Sequence, residues 1–140
     1  MKYVVGFLFN PDLTQVVLIR KARPKWQINK LNGPGGKVEP GETYEEAMVR
    51  EFREETGMEF TDWKRFCDLE FDEGKVVFFF GISKDYRNVK TVTDEQIEIR
   101  AVDALMYEPF MVSNLRWLMQ MARSWSYGET ATRFLTAEVR

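Results

Sequence analysis

The chain has 140 residues, of which 44% are hydrophobic and 30% charged, and this composition predicts one globular domain over residues 1–140. Its formal net charge of -2 argues against a protein that grips long nucleic acid. The absence of histidine excludes histidine bases and histidine-ligated zinc, and the single cysteine, Cys67, excludes an intrachain disulfide and is expected to be buried and inert. Any catalysis must therefore use carboxylates, lysine, tyrosine or a bound metal ion.

No segment of the sequence predicts targeting to a membrane. The first residues lack the apolar run of a signal peptide. The longest apolar run, at residues 76–80, is too short to span a bilayer. We therefore expect a cytoplasmic protein, and the sequence leaves its oligomeric state open.

Two apolar runs near the N-terminus predict a β-hairpin. They cover residues 2–9 and 15–21, and a turn signal at residues 10–12 lies between them. Residues 26–30 are predicted to form a loop. A glycine-rich approach then leads to a short strand that is predicted at residues 37–39.

The first predicted helix begins at Thr43 and ends before Gly57. Thr43 and Glu46 fit a capping box, in which each side chain accepts a hydrogen bond from a free backbone N–H. Gly57 fits the left-handed residue that ends many helices. This helix is therefore the element whose two ends the sequence defines best.

The second half of the chain predicts more strands and a second helix. Strands are expected at residues 63–71, 75–82 and 97–105, and the continuous apolar stretch of the second indicates a central strand buried on both faces. Apolar residues at helical spacing after Ser113 predict the helix, which Ser113 is expected to cap. Residues 127–140 are ambiguous, and a further strand is one option. The order of elements predicts a mixed β-sheet with helices packed on it.

Three glutamates of the first helix share one face. At about 100° of rotation per residue, Glu51, Glu54 and Glu55 lie within about 100° of arc. Their mutual repulsion is offset by a hard divalent cation with oxygen ligands, for which Mg²⁺ or Mn²⁺ is the natural occupant. Arg50 adds a positive neighbour. The alternative interpretation is a solvated acidic surface.

Residues 36–58 read GKVEPGETYEEAMVREFREETGM and resemble the Nudix box, Gly-x5-Glu-x7-Arg-Glu-U-x-Glu-Glu-x-Gly-U, where U is a bulky aliphatic residue. The matching positions are Gly36, Glu42, Arg50, Glu51, Phe52, Glu54, Glu55, Gly57 and Met58. The aromatic Phe52 is the one loose fit. Residues 18–37 look like the strand and loop that precede the box in MutT-type nucleoside triphosphate pyrophosphohydrolases. The resemblance implies an α/β fold of the α+β kind, in which a mixed β-sheet is sandwiched between helices.

The resemblance also implies which residues of the box act. The expected metal ligands are Gly36, Glu51, Glu54 and Glu55. The catalytic group would comprise Arg50, Glu51 and Glu54, and Glu42 would orient the cluster together with Arg50. A further acidic residue from a later loop usually joins the metal site or acts as a base. Glu95 is the preferred candidate, Asp94 and Glu98 are alternates, and an exposed acidic turn is the competing interpretation.

Residues that would contact a nucleotide follow from the same resemblance. Lys21 and Lys37 belong to a basic strip upstream of the acidic helix and are the expected phosphate contacts. Asn32 and Asn114 are candidate base readers, since an amide offers a donor and an acceptor to a purine edge. Trp26 could stack on a base, as could Trp117 at the start of the second helix. Ordinary loop or core roles compete with each of these assignments.

The resulting hypothesis is a Mg-dependent hydrolase that converts a nucleoside triphosphate, an oxidised purine deoxynucleotide among the candidates, to monophosphate and pyrophosphate. Other members of the family hydrolyse ADP-ribose, dinucleoside polyphosphates or coenzyme A, and the proline, tyrosine or upstream signatures typical of them are absent here. The remaining alternative is a non-catalytic nucleotide-sensing Nudix domain. Such domains typically lose box glutamates, whereas Glu42, Glu51, Glu54 and Glu55 are all present.

Overall fold

Eight strands form one mixed sheet in the computed structural model, which describes residues 1–126 and 135–138. The strands are β1 (Lys2–Phe9), β2 (Gln15–Arg20), β3 (Leu31–Asn32), β4 (Gly35–Lys37), β5 (Lys64–Phe71), β6 (Gly74–Ile82), β7 (Gln96–Ala101) and β8 (Leu135–Glu138). The helices are α1 (Tyr44–Thr56) and α2 (Leu115–Ser126). None of the helices in the described part of the chain has the length and apolar character needed to cross a membrane.

The long strand β1 organises the sheet. It runs parallel to β6 along its whole length, from the pair Lys2 and Lys75 to the pair Phe9 and Ile82. On its other side it pairs antiparallel with β4 in its first half and with β2 in its second half. The strand order is β3-β2-β1-β6-β5-β8, and β7 pairs with β2. Strand β6 is therefore central, as its apolar run predicts.

Each face of the sheet is covered by one helix. Phe7 and Phe9 of β1 point into a core shared with α2, whereas Val4 and Leu8 point into a second core shared with α1. This follows from the two-residue period of a strand, which sends alternate side chains to opposite faces. The predicted fold, a mixed sheet sandwiched between helices, is confirmed.

Helix α1 has the ends that the sequence predicts. The Thr43 hydroxyl accepts from the backbone N–H of Glu46, and the Glu46 carboxylate accepts from the backbone N–H of Thr43, which completes the capping box. Gly57 has φ of 72°, a left-handed conformation that glycine adopts without steric cost. Met48 and Phe52 are fully buried and attach the helix to the sheet.

Several predicted boundaries are wrong. The short strand expected at residues 37–39 is β4, which lies two residues earlier, at Gly35–Lys37. The backbone of Gly35 passes so close to β1 that a Cβ there would overlap the Val4 carbonyl, so the glycines themselves take part in the pairing. The strand expected at residues 97–105 ends at Ala101, where the chain turns into a 3-10 helix at Asp103–Tyr107. The predicted loop at residues 26–30 overlaps another 3-10 helix, Lys25–Gln27.

The last predicted elements are mostly confirmed. Helix α2 begins at Leu115, and its buried residues are Leu115, Leu118, Met119 and Ala122. The expected cap at Ser113 is wrong by one residue, because the Asn114 carbonyl accepts the first helical hydrogen bond, from the backbone N–H of Leu118. In the tail, β8 supplies the optional strand and pairs parallel with β5, and residues 127–134 and 139–140 lie outside the described residues. Cys67 is buried, and burial raises the pKa of its thiol to about 11, as expected of an inert cysteine.

Candidate active site

Arg50 is the centre of an ion-pair cluster on α1. Its Nε donates to the Glu42 carboxylate at 2.6 Å, and its Nη1 donates to Glu51 at 2.9 Å and to Glu54 at 3.2 Å. Its Nη2 donates to the Lys37 carbonyl oxygen at 3.0 Å. The bond from Arg50 holds the pKa of Glu42 below its ordinary value. Arg50 and Glu42 therefore fix each other, which is the geometry that an orienting pair requires.

The Glu51 carboxylate lies against the backbone of Gly36. A Cβ at Gly36 would stand 2.6 Å from the carboxylate atoms of Glu51, so only glycine leaves this space open. Burial raises the pKa of Glu51 although the Arg50 guanidinium opposes that effect. The structure thus places a carboxylate that is costly to ionise against the main chain of Gly36.

The Glu55 carboxylate faces a cavity of about 700 Å³. It accepts a hydrogen bond from the backbone N–H of Gly35 at 3.1 Å. Burial raises its pKa to about 8, and the nearby Lys21 ammonium only partly offsets this. A cation that binds beside such a carboxyl group stabilises its ionised form.

Glu54 differs from the other two glutamates of the shared face. Its side chain is 55% exposed and contacts Arg50 at the surface. Among the residues that the structure describes, no three acidic side chains are arranged to hold a metal ion. The predicted convergence is interrupted because the Arg50 guanidinium donates to both Glu51 and Glu54, and its single positive charge offsets only part of their negative charge. The donor set of Gly36, Glu51, Glu54 and Glu55 is made of oxygen atoms only, which suits Mg²⁺ or Mn²⁺ and not a soft metal.

Glu95 reaches the same cavity from the loop before β7. Its side chain is 4% exposed, and it accepts from the Lys21 ammonium at 3.2 Å and from the backbone N–H of Ala22 at 2.7 Å. The alternates lie elsewhere. Asp94 pairs with Arg23 at the surface, and Glu98 pairs with Arg20 at 2.7 Å. Of the three acidic candidates, Glu95 is the one that the structure brings to Glu55 and Lys21.

The cavity also contains most of the predicted nucleotide contacts. Its lining includes Lys21, Trp26, Asn32 and Asn114 from the sequence-based set. Lys37 is exposed and does not line the cavity, although the neighbouring Gly36 does. Its contact with phosphate stays a prediction. Trp117 is also absent from the lining and is exposed at the surface.

Other lining residues were not predicted from the sequence. They are Tyr3, Val5, Arg23, Gln27, Leu69, Phe71, Glu73, Val76, Phe78 and Val112, with a few neighbours. The alternation of β1 carries a signal for two of them, since Tyr3 and Val5 share a strand face with Phe7. Gln27 carries no such signal, because its position depends on how the loop before β3 folds back.

The side chain of Asn32 makes two hydrogen bonds within the protein. Its Oδ1 accepts from the backbone N–H of Gly33 at 2.8 Å, and its Nδ2 donates to Gln27 Oε1 at 3.2 Å. The backbone N–H of Gly33 thus uses one of the two lone pairs of Oδ1, and Gln27 uses one of the two hydrogens of Nδ2. The role of Asn32 in reading a base stays a prediction that relies on the remaining hydrogen and lone pair.

The raised pKa of Glu55 predicts a pH-dependent stability of the metal-free protein. The stabilising effect of the retained proton is complete below the ordinary pKa of 4.5 and is lost as the pH rises through about 8. Relative to Glu55→Gln, which cannot ionise, the wild type should lose several degrees of Tm between about pH 5 and about pH 9. Thermal unfolding of both proteins in chelator tests this. If the Tm difference between the wild type and Glu55→Gln is the same at both pH values, the prediction is contradicted.

Comparison with known proteins places this site in a family. The NUDIX domain model matches residues 1–120. The 8-oxo-dGTP diphosphatase of Escherichia coli (strain K12) is 38% identical over 72 residues, which cover 51% of this chain and 55% of that protein. A putative 8-oxo-dGTP diphosphatase of Bacillus subtilis (strain 168) is 52% identical over 44 residues, 31% of this chain and 26% of that protein. The chain thus matches about half the length of the first relative and less of the second.

Solved structures share the fold. A MutT structure from work on Aliivibrio salmonicida and Vibrio cholerae has a TM-score of 0.64 at 25% identity, and the match covers 87% of this chain and 95% of that one. The NUDIX domain of Shewanella oneidensis NrtR, complexed with ADP ribose, has a TM-score of 0.76 at 16% identity, with 90% and 88% covered. Because the family model matches most of its length, the chain belongs to the NUDIX domain family, as residues 36–58 predict.

Proposed function

We propose that this protein is a nucleotide pyrophosphohydrolase that hydrolyses a nucleoside triphosphate to the monophosphate and pyrophosphate. One observation carries the proposal. One cavity is lined both by Glu55 and Glu95 with Lys21 and by the amides of Asn32 and Asn114. The carboxylates and Lys21 suit metal-assisted phosphate chemistry, and the amides suit a base. The 8-oxo-dGTP diphosphatases among the relatives make an oxidised purine deoxynucleotide one candidate substrate.

A divalent cation belongs to this proposal, since Nudix hydrolases generally use one. Gly36, Glu51, Glu54 and Glu55 would hold Mg²⁺ or Mn²⁺. When bound, the ion would neutralise phosphate oxygens and lower the pKa of a water molecule. The residues fit such an ion for two reasons. They offer oxygen donors, and the three negative charges of Glu42, Glu51 and Glu54 are paired with a single guanidinium, that of Arg50, which cannot offset all of them.

The protein groups have separate tasks in the reaction. Arg50 and Glu42 hold the acidic helix face in place. Lys21 lines the cavity, and its ammonium, which pairs with Glu95, would also pair with a phosphate oxygen. Glu95 accepts the proton of the attacking water as the new phosphorus–oxygen bond forms and the bond to the pyrophosphate oxygen breaks. Glu95 suits this role because two donors hold its carboxylate at the cavity.

The identity of the first products tests the reaction. Attack that releases the whole pyrophosphate end gives monophosphate and pyrophosphate, whereas attack at the terminal phosphorus gives diphosphate and orthophosphate. We expect the first pair from a mixed panel of triphosphates in the presence of Mg²⁺, read by chromatography at an early time point. Orthophosphate as the first product contradicts the proposal.

The same panel separates the other Nudix activities. It includes ADP-ribose, whose hydrolysis yields AMP and ribose phosphate, and a dinucleoside polyphosphate. The NrtR domain shares the fold at 16% identity, so its ADP ribose complex carries no argument about the ligand of this chain. Hydrolysis of ADP-ribose with no triphosphate consumed would replace the proposed substrate. Binding of a nucleotide without hydrolysis of any would indicate a sensor.

Asn32 is expected to contribute more to base preference than Trp26. Asn32 is buried at the cavity wall, whereas Trp26 lines the rim and is largely exposed under the Lys30 ammonium. A lost hydrogen bond to a buried polar group corresponds to about a five- to 150-fold change in kcat/KM. Asn32→Ala should compress the differences among bases by that order, and Trp26→Ala should weaken all nucleotides more evenly.

To test this, kcat/KM is measured for the four common triphosphates and 8-oxo-dGTP in the wild type, Asn32→Ala and Trp26→Ala. An unchanged ranking and spread in Asn32→Ala would place base recognition elsewhere. Asn114, which also lines the cavity just before α2, would then be the next residue to replace.

A further inference from the structure

The side chain of Asn32 has one possible orientation in this fold. Its Oδ1 accepts the backbone N–H of Gly33 at 2.8 Å. Rotating the amide by half a turn would bring Nδ2 against that N–H, so two donors would face each other. The residue is 9% exposed, which makes such a mismatch costly. The backbone therefore fixes the nitrogen of Asn32 towards Gln27.

Gln27 receives this nitrogen and is itself held in place. Its Oε1 accepts from Asn32 Nδ2 at 3.2 Å. Its backbone N–H donates to the Pro24 carbonyl at 2.8 Å, and its carbonyl accepts from the backbone N–H of Lys30 at 2.8 Å. The side chain is half-buried and lines the same cavity as Asn32. Within the described part of the chain, Gln27 Nε2 has no hydrogen-bond partner.

The two amides together present donors. Each oxygen already accepts one hydrogen bond and keeps one lone pair, whereas three hydrogens remain, the second on Asn32 Nδ2 and both on Gln27 Nε2, so donors predominate. The edge of a 6-oxopurine that carries O6 and N7 accepts from such donors at both positions. An edge that carries an exocyclic amino group brings another donor against them. The orientation of the pair therefore carries chemical selectivity.

We propose that Gln27 is a specificity-determining residue, which with Asn32 forms a pair of amide donors that selects a 6-oxopurine edge over a 6-aminopurine edge. The inference deepens the proposed function, because it rests on a nucleotide base occupying this cavity. Gln27 acts in two ways. It orients the Asn32 amide, and it contributes its own Nε2 hydrogens to the ligand.

Inosine and adenosine monophosphates test the donor pair directly, because both bases carry the acceptor N7 but differ at the 6-position, where hypoxanthine has an accepting oxygen and adenine a donating amino group. Calorimetry gives the ratio of the Kd for AMP to the Kd for IMP in each protein. We expect this ratio to be at least about tenfold in the wild type. In Gln27→Glu the carboxylate still accepts from Asn32 and offers the cavity no hydrogen, so the ratio should fall to about one or below.

A second variant and a matched control protect this test. In Asn32→Asp the carboxylate still accepts from the backbone N–H of Gly33 but has no hydrogen to donate to Gln27. The Gln27 amide then turns its nitrogen towards the aspartate, so the ratio of Kd values should also fall to about one or below. Ile28→Ala changes the next residue along the loop, which is 49% exposed and does not line the cavity, and it should keep the wild-type ratio. Added negative charge weakens both ligands alike and cancels in the ratio.

The outcomes separate the inference from the proposed function. A wild-type ratio near one, an unchanged ratio in both folded variants, or no binding of either monophosphate overturns the donor pair. A protein that shows the expected ratios but hydrolyses no triphosphate ends the proposed function and leaves the donor pair standing. A protein that hydrolyses triphosphates to the expected products, but whose variants keep the wild-type ratio of Kd values, supports the proposed function and overturns the donor pair.

Discussion

Glu51→Gln is expected to lower kcat by at least about a hundredfold. The carboxylate of Glu51 lies against Gly36, the residue whose carbonyl is another expected ligand of the cation. Glutamine has nearly the same shape, and its oxygen can still accept from Arg50 as Glu51 does at 2.9 Å. The substitution therefore removes the charge that a cation needs and preserves the packing of α1.

Glu46→Gln is the matched control for this prediction. Glu46 belongs to the same helix but is exposed, and its side chain accepts from the Thr43 N–H in the capping box, a bond that glutamine can also make. We expect its kcat to stay within about twofold of the wild type. Steady-state kinetics at saturating Mg²⁺ measure both variants. Comparable losses in the two would show that the active face of α1 has been assigned incorrectly.

The parts of the fold that the sequence predicts well are those that depend on neighbouring residues. The two ends of α1 follow from Thr43, Glu46 and Gly57, which act within a few residues of the backbone groups they satisfy. The buried strand β6 follows from a continuous apolar run. The first hairpin follows from a turn signal between two such runs.

The wrong boundaries depend on contacts between distant residues. Strand β4 begins at Gly35 because β1 passes beside it, and no local pattern in a glycine-rich segment contains that pairing. The same holds for the end of β7 at Ala101, where the pairing with β2 finishes at Gln15. Sequence periodicity predicts that a strand exists but not where its partner stops.

The candidate site shows the same division. Helical geometry places Glu51 and Glu55 on one side of α1, yet it does not reveal that the Arg50 guanidinium lies between Glu51 and Glu54. Glu95 is a residue from a distant loop that spacing left as one of three options, and the fold brings it to Lys21. The bond between Asn32 and Gln27 likewise arises only when the loop folds back on β3.

Removal of divalent cations is expected to lower hydrolysis by at least about a hundredfold, because a cation supplies several kcal/mol of stabilisation to the charge that develops on the phosphates. Four carboxylates contact Arg50, those of Glu39, Glu42, Glu51 and Glu54, and Glu55 and Glu95 lie near Lys21. A polyphosphate adds more negative charge to this region. The side-chain cations Arg50, Lys21 and Arg23 cannot offset the sum, so the substrate needs further positive charge in order to bind and react.

The measurement compares hydrolysis in excess chelator with hydrolysis after Mg²⁺ or Mn²⁺ is added back. Circular dichroism of the chelated protein serves as the control for folding, since the buried cores and the capped helix α1 hold the fold without a cation. We expect activity to return in proportion to the free ion and to saturate. Glu51→Gln should need a higher ion concentration, because it offers the ion one negative charge fewer. Full activity in excess chelator would contradict the assignment of Glu51 and Glu55 as metal ligands.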